Sequence, residues 1–191
     1  MFHPLDLMEP EETVGNLWHD WASRRAGPTV AAVAFDAMRP SVAALYRALG
    51  GAAATEIVPA PATRRDVNAE PAHVADYSGD RLRLPPVIDA FPTSELNRAA
   101  YLWLAALAAT VVPPEPEPDP YAADLADLAA LGAATAVVLA RCPGLASAHA
   151  AMARHLRATR PRPPLSGHEA AVEDAVMTLL GAAPRPLPAG P

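Results

Sequence analysis

The chain has 191 residues, 51% of them hydrophobic, enough to bury a sizeable core in one large or two small domains, which excludes a disordered tail as the main reading. A formal net charge of −6 speaks against general nucleic-acid binding, because the phosphate backbone demands a positive field. The single cysteine, Cys142, permits no internal disulfide and no cysteine-based zinc site, and this usage fits a reducing, cytoplasmic compartment.

About a quarter of the residues are Ala, which makes helix the prior. Every basic residue is Arg, and there is no Lys. The 23 prolines are too many for helix interiors and belong at helix starts, in loops and in linkers. The N-terminus shows neither the positive region nor the apolar stretch of a signal peptide. The longest apolar run, residues 99–112, is shorter than the roughly 20 residues a membrane span needs. It reads as a helix buried on most sides.

In chain order, residues 9–25 place Pro10 in a first helical turn, with Glu11 and Glu12 at the positive end of the helix dipole. Val14, Leu17, Trp18 and Trp21 then define one apolar face. Residues 29–49 again carry a helical stripe, through Val30, Val33, Ala37, Val42, Leu45, Tyr46 and Leu49. Pro40 makes this two helices or one kinked helix, and Gly50 and Gly51 supply the left-handed stop. Residues 52–91 lose the helical period. Arg81 to Leu84 alternates with period two after a turn signal at Ser78 to Asp80, which predicts an antiparallel hairpin, closed by Pro85 and Pro86 and preceded by a mobile loop at 64–71.

Helix resumes after Phe91 and Pro92, with Thr93 as N-cap and Leu96, Ala100, Trp103, Leu104, Leu107 and Val111 facing inward. Residues 113–120 alternate Pro with Glu and Asp, and so form an extended acidic loop. Helices at 121–141 and 145–159 follow, separated by the stop Cys142, Pro143, Gly144. A last helix opens with a capping box, Ser166 and Glu169, and ends at Gly181. The expected fold is mainly α: about six to seven helices with a small antiparallel β hairpin inserted at about residues 54–84. Residues 1–182 form a single domain in this reading, and the Pro-rich residues 183–191 a linker toward a missing C-terminal domain.

Signatures of chemistry are sparse. The six histidines include no His-x-x-x-His or Glu-x-x-His pair, so neither a metal site nor a cofactor is expected. His19 reads first as a hydrogen-bonded boundary residue. A small enzyme using His19 or His73 with nearby carboxylates is the alternative of another class, and its mark is a concave pocket where these groups converge. Asp76 to Asp80 superficially resembles a metal-binding Asp-x-Ser-x-Ser loop but reads as a turn. Cys142 lies at a helix end without the helix N-terminus that activates thiols.

Charge is more informative. Acids gather at Asp6, Glu9, Glu11 and Glu12, and again at Glu115, Glu117, Asp119, Asp124 and Asp127; bases gather at Arg154, Arg157, Arg160 and Arg162. Such runs are either solvated faces or polarised docking surfaces that steer a protein partner.

Five motifs occur in a fixed order: Met8 to His19, Leu45 to Gly51, Leu82 to Pro85 followed by Phe91 and Pro92, Leu96 to Ala106, and Cys142 to Leu145. In that order they resemble the N-terminal region of NorD/CbbO-type accessory proteins. The specific stretches are Trp18 with His19 and Asn97 to Ala106. The resemblance implies a non-enzymatic adaptor that docks on a hexameric MoxR-type AAA+ ATPase of the NorQ/CbbQ class. It further implies that a C-terminal von Willebrand A domain, absent from this sequence, grips the client, nitric oxide reductase or Rubisco. Partner-binding candidates are Glu9, Glu11, Glu12, His19, Asn97, Arg98, Arg154 and Arg157. Residues expected to carry the family structure are Trp18, Trp21, Gly50, Gly51, Leu84, Pro85, Phe91, Pro92, Tyr101, Trp103, Pro143 and Gly144. For Asn97 the bottom-up alternative is an amide that satisfies backbone groups of the preceding loop. Neither nucleic acid nor membrane insertion is expected.

Overall fold

The computed structural model describes residues 30–63, 72–160 and 164–183. The helix expected at 9–25, the loop expected at 64–71 and all but the first residue of the linker expected at 183–191 therefore lie outside the described residues. Five α-helices are seen among the described residues: α1 Phe35–Ala48, α2 Ser94–Thr110, α3 Pro120–Arg141, α4 Ala146–Thr159 and α5 Gly167–Leu179. Seven short strands accompany them, β1 Val33–Ala34, β2 Glu56–Pro59, β3 Ala62–Thr63, β4 Ala72–His73, β5 Asp76–Tyr77, β6 Arg81–Leu84 and β7 Val87–Ile88. The result is the mainly α fold with a small β insertion that the sequence predicts.

Two local expectations are corrected. Residues 30–34 are not helical, because Val33 and Ala34 pair with Ile88 and Val87 in an antiparallel ladder. The Phe35 amide then donates to the Pro86 carbonyl. The helix starts only there, and it runs through Pro40 as a single element. Pro40 is solvent-exposed in the second turn, where its missing N–H costs one hydrogen bond and its ring meets no packed neighbour. The second correction is the Ser166 capping box. Ser166 occupies the N-cap with extended backbone, but its side chain makes no cap hydrogen bond.

The hairpin across Ser78 to Asp80 is present, with Asp76 opposite Arg83 and Tyr77 opposite Leu82. It belongs to a larger sheet than expected, since β2 adds in parallel on the other side of β6. Alternation in β6 explains the arrangement: Leu82 and Leu84 are buried, while Arg81 pairs with Glu56 and Arg83 with Asp76 on the neighbouring strands. The Asp76 to Asp80 segment is a turn, in which the Ser78 hydroxyl donates to Asp80 at 3.1 Å.

The core lies where α1 and α2 pack on this sheet. Phe35, Val42 and Tyr46 from α1 meet Leu84, Phe91, Tyr101 and Trp103. The Tyr46 hydroxyl donates to that of Tyr77 at 3.0 Å and lies 3.1 Å from Thr55 Oγ1, which itself donates to the Gly79 carbonyl at 3.1 Å. This chain of hydroxyls satisfies polar atoms that would otherwise be costly to bury. Gly50 ends α1 at φ +105, and a Cβ on Gly51 would lie 2.3 Å from the Tyr46 ring. The pair is thus needed twice, once for backbone sign and once for space.

Helices α3 and α4 extend this core with Ala134, Val138, Met152 and Leu156, and α5 packs outside it against α3. Pro120 opens α3, capped by the Asp119 carboxylate, which accepts from the Tyr121 amide at 3.3 Å. Leu128, Leu131, Ala134 and Val138 are its buried residues, and Ala129, Ala133, Ala136, Val137 and Ala140 form its exposed face. By length and composition α3, rather than residues 99–112, is long and apolar enough to cross a membrane. The Tyr121 ring stacks on His168 at 4.1 Å, and a Cβ on Gly132 would meet Leu179 at 3.0 Å. Contacts at start and middle show α3 and α5 running side by side in the same direction.

Candidate docking surface

The residues that the sequence singles out separate into inward and outward sets. Asn97 is fully buried near the start of α2. Its Oδ1 accepts from the amides of Ala90 and Phe91, at 2.9 and 2.8 Å. Its Nδ2 donates to the carbonyls of Ala31 and Phe91, at 2.8 and 3.0 Å. Four bonds saturate the amide, so Asn97 binds the loop before its own helix and the turn that precedes β1. That corrects its place among the partner-binding candidates: no face of it reaches a partner.

Tyr101, one turn further along α2, is also fully buried, and its hydroxyl donates to Pro85 O at 2.8 Å with Val33 O at 3.3 Å. Desolvation raises its pKa well above the ordinary tyrosine value. Trp103 is buried against the His149 ring of α4, with centroids 4.2 Å apart. Phe91 meets His155 of the same helix edge-on at 5.7 Å. His149 and His155 are thus ring partners, the first of α2 and the second of the loop before it, a role absent from the sequence-based expectations. The available signal was their spacing: positions six apart project from different sides of α4, and each finds its own aromatic.

Among the outward set, Arg98 is exposed on the first turn of α2 beside Glu95. Arg154 is exposed on α4. Arg157 donates to the Gly181 carbonyl at 2.6 Å, closing the end of α5 onto α4. Arg160 grips Glu173 through two bonds of 2.7 and 2.8 Å. The basic run is therefore only partly a free face: two of its members tie helices together. The acidic loop at 112–119 is exposed throughout, whereas Asp127 is buried and so leaves the solvated acidic run. Pro92, Pro143 and Gly144 are exposed, and Pro85 is half-buried. Glu9, Glu11, Glu12, His19, Trp18 and Trp21 lie outside the described residues.

Among the described residues no convergence of catalytic type accompanies these surfaces. His73 is exposed and its Nδ1 lies 2.8 Å from the Ala60 carbonyl. Among the described residues no three His, Cys, Asp or Glu side chains gather to hold a metal ion. The arrangement offers a helical surface with exposed cations, Arg98 and Arg154, which suits recognition by shape and charge.

Comparison with known proteins gives the following. The chain is 34% identical to Protein NorD of Brucella suis over 193 aligned residues, covering 92% of this chain and 30% of that protein. It is 35% identical to Protein NorD of Stutzerimonas stutzeri over 114 residues, 53% of this chain and 19% of that protein. A Pseudomonas aeruginosa protein described as uncharacterised is 38% identical over 118 residues, 56% of this chain and 19% of its own length. The chain thus spans less than a third of the relatives it matches. No family model matches, and no solved structure matches.

Proposed function

This chain is NorD-like across 92% of its length, and from that premise we propose that it is an adaptor domain of a nitric oxide reductase accessory protein. Its work in this reading is to dock on a MoxR-type AAA+ ATPase while performing no chemistry itself. The observation that carries the proposal is the alignment, which runs through the buried motif around Asn97, Tyr101 and Trp103 as well as the exposed helices. The structure lends support in a physical sense. Buried polar groups at that motif are spent on internal bonds, and what is left for a partner is a surface of fixed charge, Arg98 and Arg154 in particular. Contact with the reductase, and any help with its iron insertion, would then belong to the part of the relatives that this chain does not match.

Size-exclusion chromatography and pulldown with the MoxR-type ATPase, without nucleotide and with ADP or ATP, test the proposal. A complex in at least one nucleotide state is expected, and failure in all of them overturns it. Arg154→Glu is the cleanest surface probe because Arg157 also holds Gly181. Set against Glu11→Lys with Glu12→Lys, it shows which charged face docks.

A further inference from the structure

His149 sits in the first turn of α4, a turn with no acidic residue. Its ring lies over Trp103 at 4.2 Å with 30° between the planes. A positive charge there is opposed by the helix N-terminus, whose own dipole is positive, and by loss of solvent. Cation–π attraction to Trp103 works the other way. Between Ala99 and Thr110, α2 offers no charged side chain to balance the proton. The turn Pro143–Leu145 offers none either.

We propose that His149 makes α4 a pH-sensitive latch: the neutral ring stacked on Trp103 holds the start of the helix against α2, and protonation releases it. The other acidic, basic and histidine side chains on these helices are Glu95 and Arg98 of α2, Asp124, Asp127 and Arg141 of α3, His168, Glu169, Glu173 and Asp174 of α5, and Arg154, His155 and Arg157 on α4 itself. Arg141 is directed to the Leu49 carbonyl at 2.9 Å, and Glu173 is held by Arg160. Burial lowers the pKa of the His149 ring below its ordinary value of 6.5. A depressed folded-state pKa contributes stability that is complete above the unfolded value and is lost as pH falls through the folded one. The latch is closed at neutral pH and opens in acid. Because α4 carries Arg154, opening also displaces a charged face, but the latch does not depend on what that face binds.

Proton NMR of the intact chain, titrated from pH 8 to pH 5, reads the His149 ring directly. A midpoint below 6.5 is expected, and a midpoint at or above it overturns the proposal by showing that the attraction to Trp103 wins. Hydrogen exchange, expressed as protection factors so that intrinsic rates cancel, reads the release. Protection at the start of α4 should fall severalfold between pH 7.5 and pH 5.5, by at most about tenfold per unit of depressed pKa, while α2 keeps its protection. His149→Phe retains a stacked ring without a proton and should remove the pH dependence. Unchanged pH dependence in that variant, or none in the parent chain, overturns the latch.

Discussion

The two Ala-rich halves of this domain are held by different means. In α2, nine of 17 residues are buried, and the helix is fastened by side chains that bond to specific backbone atoms, Asn97 and Tyr101 foremost. In α5, only Val176 of 13 residues is buried. That helix is retained by a ring stack at its start, an Arg160–Glu173 pair along its side and Arg157 at its end. The two helices are therefore bonded by unlike means. Small side chains permit close approach everywhere, but only the inner helix is specified by saturated buried polar groups.

The contrast is most open to attack at Asn97. Asn97→Ala should cost about 2–4 kcal/mol in urea unfolding, since two buried amides lose their acceptor at once. A loss under about 1 kcal/mol would show that the loop finds other partners and that the inner region is not specified as described. Tyr101→Phe should cost about 1 kcal/mol at neutral pH, and it sharpens the comparison through its pH behaviour. With its pKa raised by burial, Tyr101 contributes stability that is present below pH 10 and lost as pH rises through the folded value. The variant should show a shallower alkaline loss in a pH series of thermal melts, and an unchanged slope would assign that loss elsewhere. At the outer layer, Arg160→Ala should cost less than about 1 kcal/mol, because the pair it breaks is only partly buried. If its melting point falls as far as that of Asn97→Ala, the division into strongly and weakly specified halves fails.

The same division accounts for what could be read in the sequence. Helices α2, α3 and α4 were legible because their signals are local: Thr93 as N-cap, an apolar period, and the Cys142 to Gly144 stop. So was the hairpin, through the alternation of Arg81 to Leu84 and the turn at Ser78. Residues 30–34 were misread because Val33 fits a helical stripe equally well, and only the distant partner Ile88 decides its conformation. The parallel pairing of β2 with β6 was hidden for the same reason. Among the candidate residues, Asn97 was placed correctly as a ligand of loop backbone and wrongly as a partner contact, since one amide cannot satisfy four internal groups and an external one. His149 was legible as a ring partner only through its spacing from His155, because nothing near it in sequence announces Trp103.

The fastening of residues 31–33 also bears on how the chain is made. Asn97 reaches Ala31 across 66 positions, and Tyr101 reaches Val33 across 68. Arg160 and Glu173 are 13 apart. During synthesis the first strand has emerged long before its clasp exists, and it must wait for the start of α2 to leave the ribosome. Closing so large a loop is paid in chain entropy before any bond returns it. The early stretch of the domain thus waits for a distant clasp, whereas the α4–α5 pair closes a short loop and can form as soon as it is translated.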